Sequence, residues 1–141
     1  MDSVDFKVLE ILSKQGRISW KELSEMVGLS VSSTADRVKK MEKESIILGY
    51  KVVVDEEKIG KTIQAFIQVE YDKALHDSLF LQEVIKNPLI TECYNVAGEG
   101  GYLLKVECFS IKELDFLVSD GLKLIPGVTK TVTKVILSKV K

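Results

Sequence analysis

With 141 residues, the chain has room for one ordinary domain or two small ones. Its 20 Lys and Arg stand against 21 Asp and Glu, a net charge of −1, which excludes a protein that coats nucleic acid indiscriminately but not one that gathers positive charge on a single face. Charges interrupt every hydrophobic segment before it reaches the roughly 20 apolar residues a bilayer requires, so membrane insertion is excluded too.

In chain order, residues from about 2 to 15 form an amphipathic helix with Val4 (or Asp5), Val8, Leu9 and Leu12 on one side and Gly16 at its end. The stretch 18–41 then reads as two amphipathic helices separated by one glycine turn. Ser19 can cap the first, whose buried side is Leu23, Met26 and Val27, and Gly28 sits where a helix C-terminus favours a left-handed residue. Ser30 caps the second. There Val31, Ala35, Val38 and Met41 share one side, which leaves Ser32, Ser33, Asp36, Arg37 and Lys40 on the other. A short helix, a tight turn and a second helix with a small-polar and basic outer face is the arrangement that places side chains in the DNA major groove. The same pattern also builds ordinary small helical cores, so the motif alone leaves both readings open. From Ser30 to Lys43 the chain holds Arg37, Lys39, Lys40 and Lys43 against Asp36 and Glu42, a local excess of two.

Residues 46–55 are rich in β-branched side chains and interrupted by Gly49, and are expected to be extended. Beyond residue 62 the hydrophobic period changes repeatedly. Ile63, Ala65, Ile67, Val69 and Tyr71 alternate with Gln64, Phe66, Gln68 and Glu70 as a strand, and helical spacing follows over about 76–86 through Phe80, Leu81, Val84 and Ile85. Two strands, about 90–97 and 102–109, flank Gly98, Glu99, Gly100 and Gly101 as a hairpin. A helix over about 111–124 buries Leu114, Leu117, Val118 and Leu122 (or Ile125), and Pro126-Gly127 ends it before a strand over 128–137. This order, βαββαβ, predicts a ferredoxin-like sheet of four antiparallel strands with two helices on one face. Phe66 would lie on the other face, and an apolar patch there suggests dimerisation through the sheet. The helical first third and the strand-rich remainder divide the chain into 1–55, a linker at 56–61, and 62–141. Each part is small enough for oligomerisation to be expected.

Chemistry-bearing residues are few. Cys93 and Cys108 lie in expected strands without CxxC spacing, and no charged-then-apolar leader precedes Asp2, so a reduced, cytoplasmic protein is expected. His76 is the sole histidine, at the start of an expected surface helix. No metal-ligand spacing or phosphate-binding glycine motif occurs, so no metal and no cofactor are expected.

The chain resembles the Lrp/AsnC, or feast/famine, transcription regulators over essentially its whole length. The resemblance rests on Asp5 with Ile11 and Leu12, Gly16-Arg-Ile-Ser19, Glu22-Leu-Ser24, Val27-Gly-Leu-Ser30, Arg37-Val38 and Ile46-Ile-Leu-Gly-Tyr50. It continues through Gly60, Val96-Ala-Gly98, Tyr102-Leu-Leu-Lys-Val106, Ile125-Pro-Gly-Val128 and Thr131-Val-Thr133. It implies an α+β protein, a winged helix-turn-helix followed by a ferredoxin-like (RAM/ACT-like) domain that binds effectors and oligomerises. The implied partners are double-stranded DNA, further copies of the chain as dimers and then tetramers or octamers, and a small amino acid. DNA contacts are expected from Ser32, Ser33, Thr34, Asp36, Arg37, Lys39 and Lys40, and effector contacts from Gly98, Glu99, Gly100, Gly101, Tyr102, Thr131 and Thr133.

Three departures stand out. Val31 occupies a position where the family usually has proline, Asp36 one that is more often basic or polar, and Gly101 one where an acid is usual, while Glu99 keeps the other acid of the loop. A lost carboxylate removes one charge-assisted partner for a ligand ammonium. Two competing functions remain beside transcription regulation: a siroheme-decarboxylase-like enzyme, which resembles these regulators across both domains, and a DNA-organising protein that needs no effector.

Overall fold

The computed structural model describes residues 1–72, 74–75, 77–98 and 101–140. His76, Glu99 and Gly100 lie outside the described residues. The chain divides into two units, Met1–Val54 and Asp55–Lys141.

Local capping fixes the helices of the first unit. Helix α1 (Ser3–Lys14) begins at Asp2, whose carboxylate accepts from the backbone N–H groups of Val4 and Asp5, while the Asp5 carboxylate accepts from the Asp2 N–H at 2.8 Å. Helix α2 (Trp20–Val27) repeats this reciprocal box with Ser19 and Glu22, and Gly28 closes it at φ +72°, where a side chain would be strained. Helix α3 (Val31–Lys43) starts from Ser30, whose hydroxyl accepts from the Ser33 N–H at 3.1 Å. Val8, Ile11, Leu23, Val38 and Met41 form the core, with Leu9, Leu12, Ile18, Val27 and Ile47 packed against it.

The buried faces differ from the expected ones at three positions. Met26 and Val31 are 48% and 46% exposed, whereas Thr34, expected on the DNA side, is fully buried. The stripe of α3 runs Thr34, Val38, Met41, and the Thr34 hydroxyl satisfies itself on the Ser30 carbonyl at 3.0 Å. Val31, one turn earlier, falls beyond the edge of the core. Residues 46–55 form no strand among the described residues. An extended segment needs a ladder partner, and this unit offers only helices.

In the second unit, strands β1 (Ile63–Tyr71), β2 (Ile90–Asn95), β3 (Tyr102–Cys108) and β4 (Val128–Val135) form one antiparallel sheet in the order β2-β3-β1-β4. Helix α4 (Ser78–Lys86) follows β1, and helix α5 (Ile111–Phe116) follows β3. Ala65, Ile67 and Val69 of β1 meet Tyr102, Leu104, Val106 and Cys108 of β3 in a core closed by Phe80, Val84, Leu114, Leu117 and Leu122. This is the ferredoxin-like arrangement that the βαββαβ order predicts.

Past Phe116 the backbone widens into a π turn (Leu117–Gly121) and tightens into a 3-10 turn (Leu122–Leu124), where the periodicity predicts one continuous helix. Leu117 and Leu122 are five residues apart, and the wide turn lets both face the sheet. Residues 56–61, expected as a linker, fold back on the second unit. The Lys61 N–H donates to the Glu56 carbonyl at 2.9 Å, and the Lys61 ammonium pairs with the buried Glu107 at 3.6 Å. No helix among the described residues is long and apolar enough to cross a membrane.

Candidate DNA-reading face and effector region

The first turn of α3 gathers three serine hydroxyls. Ser30 Oγ lies 3.1 Å from Ser32 Oγ and 2.8 Å from Ser33 Oγ, with Ser32 and Ser33 exposed. Asp36, Lys39 and Lys40 follow on the exposed side, where residues three and four apart are neighbours, and Lys40 approaches Glu44 at 3.9 Å. Helix N-terminal hydroxyls and later lysines are suited to base edges and phosphates respectively. Thr34 is absent from this face because its side chain belongs to the core.

Arg37 is half-buried and its charge is engaged. One guanidinium nitrogen, Nη1, donates to Asp2 Oδ2 and to Asp5 Oδ1, each at 2.7 Å. The backbone N–H of Asp5 and then Arg37 hold the Asp2 carboxyl below its ordinary range, and the N–H of Asp2 and then Arg37 do the same for Asp5. Sequence reading missed this pairing, although Asp2 followed three residues later by Asp5 before an apolar run is a capping signature visible in the chain.

In the second unit the turn into β3 is tied to the sheet through backbone bonds. The Gly101 N–H donates to the Val69 carbonyl at 3.0 Å, and the Val96 N–H to the Gly101 carbonyl at 3.1 Å. Tyr102 pairs with Val69, and Val69 pairs on its other side with Thr131, so Tyr102 and Thr131 share one cross-strand row on the helix-covered side of the sheet. Thr133 stands in the next row, opposite Ile67. Gly98, at the start of the loop, has φ +108°. The structure thus brings Gly101, Tyr102 and Thr131 together, with Thr133 one row away; Glu99 and Gly100 lie outside the described residues.

Beneath that row an aromatic stack joins Tyr71, Phe80 and Tyr102, with ring centroids 5.6 Å and 4.8 Å apart. The Tyr102 phenol donates to the Asp77 carboxylate, and this bond together with burial pushes its pKa up to about 12. Asp77 precedes α4 but makes no capping bond to it, its carboxylate being turned to Tyr102 instead. Desolvation pushes both thiols up, the buried Cys108 and the exposed Cys93 alike, which is opposite in direction to the activation of a nucleophilic cysteine.

A family model described as winged helix-turn-helix DNA-binding matches residues 1–47, and one described as the Lrp/AsnC ligand binding domain matches residues 64–141. A three-helix DNA-binding unit joined to a ligand-binding α+β unit defines a DNA-binding transcription regulator. The HTH-type transcriptional regulator LrpB of Bacillus subtilis is 39% identical over 123 residues, 87% of this chain and 82% of its own length. The proline dehydrogenase transcriptional activator of Rhizobium radiobacter is 35% identical over 145 residues, covering 100% of this chain and 92% of its own. A transcriptional regulator of Neisseria meningitidis, solved as a complex with L-methionine, superposes with a TM-score of 0.95 at 31% identity over 100% of this chain and 92% of its own. The chain belongs to the Lrp/AsnC family of transcription regulators, as the residues of both halves led us to expect.

Proposed function

We propose that this protein reads specific double-stranded DNA in the cytoplasm through α3 and that a small amino acid modulates it through the second unit, without enzymatic activity of its own. In this reading residues 1–55 are the DNA-binding domain and residues 62–141 bind the effector and join copies into dimers and then tetramers or octamers. The observation that carries it is the exposed row of Ser32, Ser33, Asp36, Lys39 and Lys40 on a serine-capped second helix. Paired helices must reach half-sites about 34 Å apart or a multiple of it, a spacing that only an oligomer fixes. For the effector, Gly98, Glu99, Gly100, Gly101, Tyr102, Thr131 and Thr133 are the contacts, and the L-methionine complex of the Neisseria relative supports an amino acid as the ligand class.

Selection of binding sites from random duplexes, repeated with Ser33→Ala, tests the DNA part. A changed sequence preference with similar general affinity is expected, because an outward hydroxyl near the helix N-terminus faces base edges. Equal losses on all sequences would overturn it, and affinity that grows with duplex length regardless of sequence would favour a DNA-organising role.

A further inference from the structure

The feature that the DNA-reading assignment does not use is the ion cluster between the start of α1 and the middle of α3. Arg37 directly precedes the lysine-bearing second half of the proposed reading helix, where its guanidinium would ordinarily be counted as a phosphate contact. Its geometry argues otherwise. Both short bonds of Nη1 go to carboxylates 35 and 32 residues earlier in the chain. Those carboxylates are themselves fixed, since Asp2 and Asp5 cap α1 reciprocally, and the positive end of the α1 dipole favours their charge. Two carboxylates therefore occupy the one guanidinium, in a recess that Asp36, Lys40 and Met1 also line. A phosphate approaching Arg37 would have to compete with two carboxylates already bonded to its guanidinium at 2.7 Å.

We propose that Arg37 is a positioning residue: anchored by Asp2 and Asp5, it sets the orientation of α3 against α1 and thereby aims Ser32 and Ser33, while supplying no phosphate contact. The inference rests on α3 being the reading helix. It assigns to Asp5, a residue of α1 outside the expected set of DNA contacts, an effect on which sequences are bound.

The test uses the full-length chain with Arg37→Gln, Asp5→Asn, the double variant, and Lys39→Ala as a reference. Asparagine keeps the oxygen that accepts from the Asp2 N–H, so Asp5→Asn removes the charge and leaves the cap able to form. Affinity for one preferred duplex and one scrambled duplex is measured across a salt series, with circular dichroism and a thermal melt confirming that each variant is folded at the assay temperature. Arg37→Gln and Asp5→Asn are each expected to weaken binding to the preferred duplex by about fivefold, the scale of an exposed ion-pair coupling, with the double variant no weaker than either. The ratio of preferred to scrambled affinity should fall in both, which a mere loss of folded protein would not produce. The slope of log affinity against log salt should stay unchanged in both, while Lys39→Ala lowers it by about 0.9.

A slope reduced by about 0.9 in Arg37→Gln, with Asp5→Asn binding as tightly as the parent or tighter, would make Arg37 a phosphate contact and overturn the proposal. Losses that leave the preferred-to-scrambled ratio unchanged would also overturn it. If Lys39→Ala changes neither affinity nor slope, the assignment of α3 as the reading helix fails instead.

Discussion

Gly127→Ala should destabilise the second unit severely, and the structure gives the size. Gly127 has φ +96°, and a Cβ built there would lie 2.4 Å from Tyr71 Cζ and 2.6 Å from its hydroxyl. A side chain in that backbone region costs about 1 kcal/mol. The Tyr71 ring must also retreat, giving up its hydroxyl bond to the Pro126 carbonyl at 3.0 Å, worth about 1 kcal/mol, and part of its packing on Phe80, worth about 1 kcal/mol. The total is about 3 kcal/mol, or a fall in melting temperature of about 15 °C for a unit of this size. Thermal unfolding followed by circular dichroism at one fixed protein concentration measures it. Repeating the substitution in a Tyr71→Ala background separates its parts. Without the ring, the increment should shrink to the backbone share of about 1 kcal/mol. An equal increment in both backgrounds would refute the clash as the cause.

Tyr102→Phe should flatten the alkaline part of the stability profile. The folded-state pKa of the phenol is raised from 10.0 to about 12, so the bond to Asp77 stabilises fully below the lower value and is lost as pH rises through the upper one. The parent's melting temperature should therefore fall more than the variant's between pH 10 and 12, and equal falls would remove the phenol from the account. Gly101→Asp should enlarge any amino-acid-dependent shift in sedimentation. Its φ is not left-handed and a Cβ would meet nothing nearer than the Val69 carbonyl at 3.8 Å, so the added carboxylate enters without strain. A response identical to the parent's would exclude that position from the ligand's surroundings.

The sequence disclosed what depends on neighbours within a turn or on a period, and concealed what depends on distant pairs. Ser19, Gly28 and Ser30 were legible because a cap is satisfied by backbone groups two or three residues away. The alternation through Ile63, Ala65, Ile67 and Val69 likewise marked β1, since one buried sheet face imposes period two. Thr34 was misassigned because a hydroxyl counts as polar in a binary pattern, yet in a helix it can bond its own i−4 carbonyl and then bury its methyl group at no further polar cost. The π turn escaped because five-residue spacing between Leu117 and Leu122 matches neither regular period. At the candidate effector region, Tyr102 was legible as an aromatic strand residue, but its bond to Asp77 spans 25 positions and leaves no trace in either segment.

The same limit alters the electrostatics of the proposed reading helix. Counting charges along residues 30–43 gives an excess of two, and that count includes Arg37. With Arg37 held by Asp2 and Asp5, and Lys40 shared with Glu44, the field that α3 offers to phosphates is weaker than its composition suggests. Phosphate neutralisation supplies most non-specific affinity, so a weak field lowers binding to arbitrary DNA more than binding to a matched site. In the proposed reading, a chain with net charge −1 then depends on serine hydroxyls held by a helix cap, and on the doubling of contacts that an oligomer would supply, to select its sites. That dependence makes oligomerisation a natural point of control: an effector that alters how second units associate would alter DNA occupancy without touching α3.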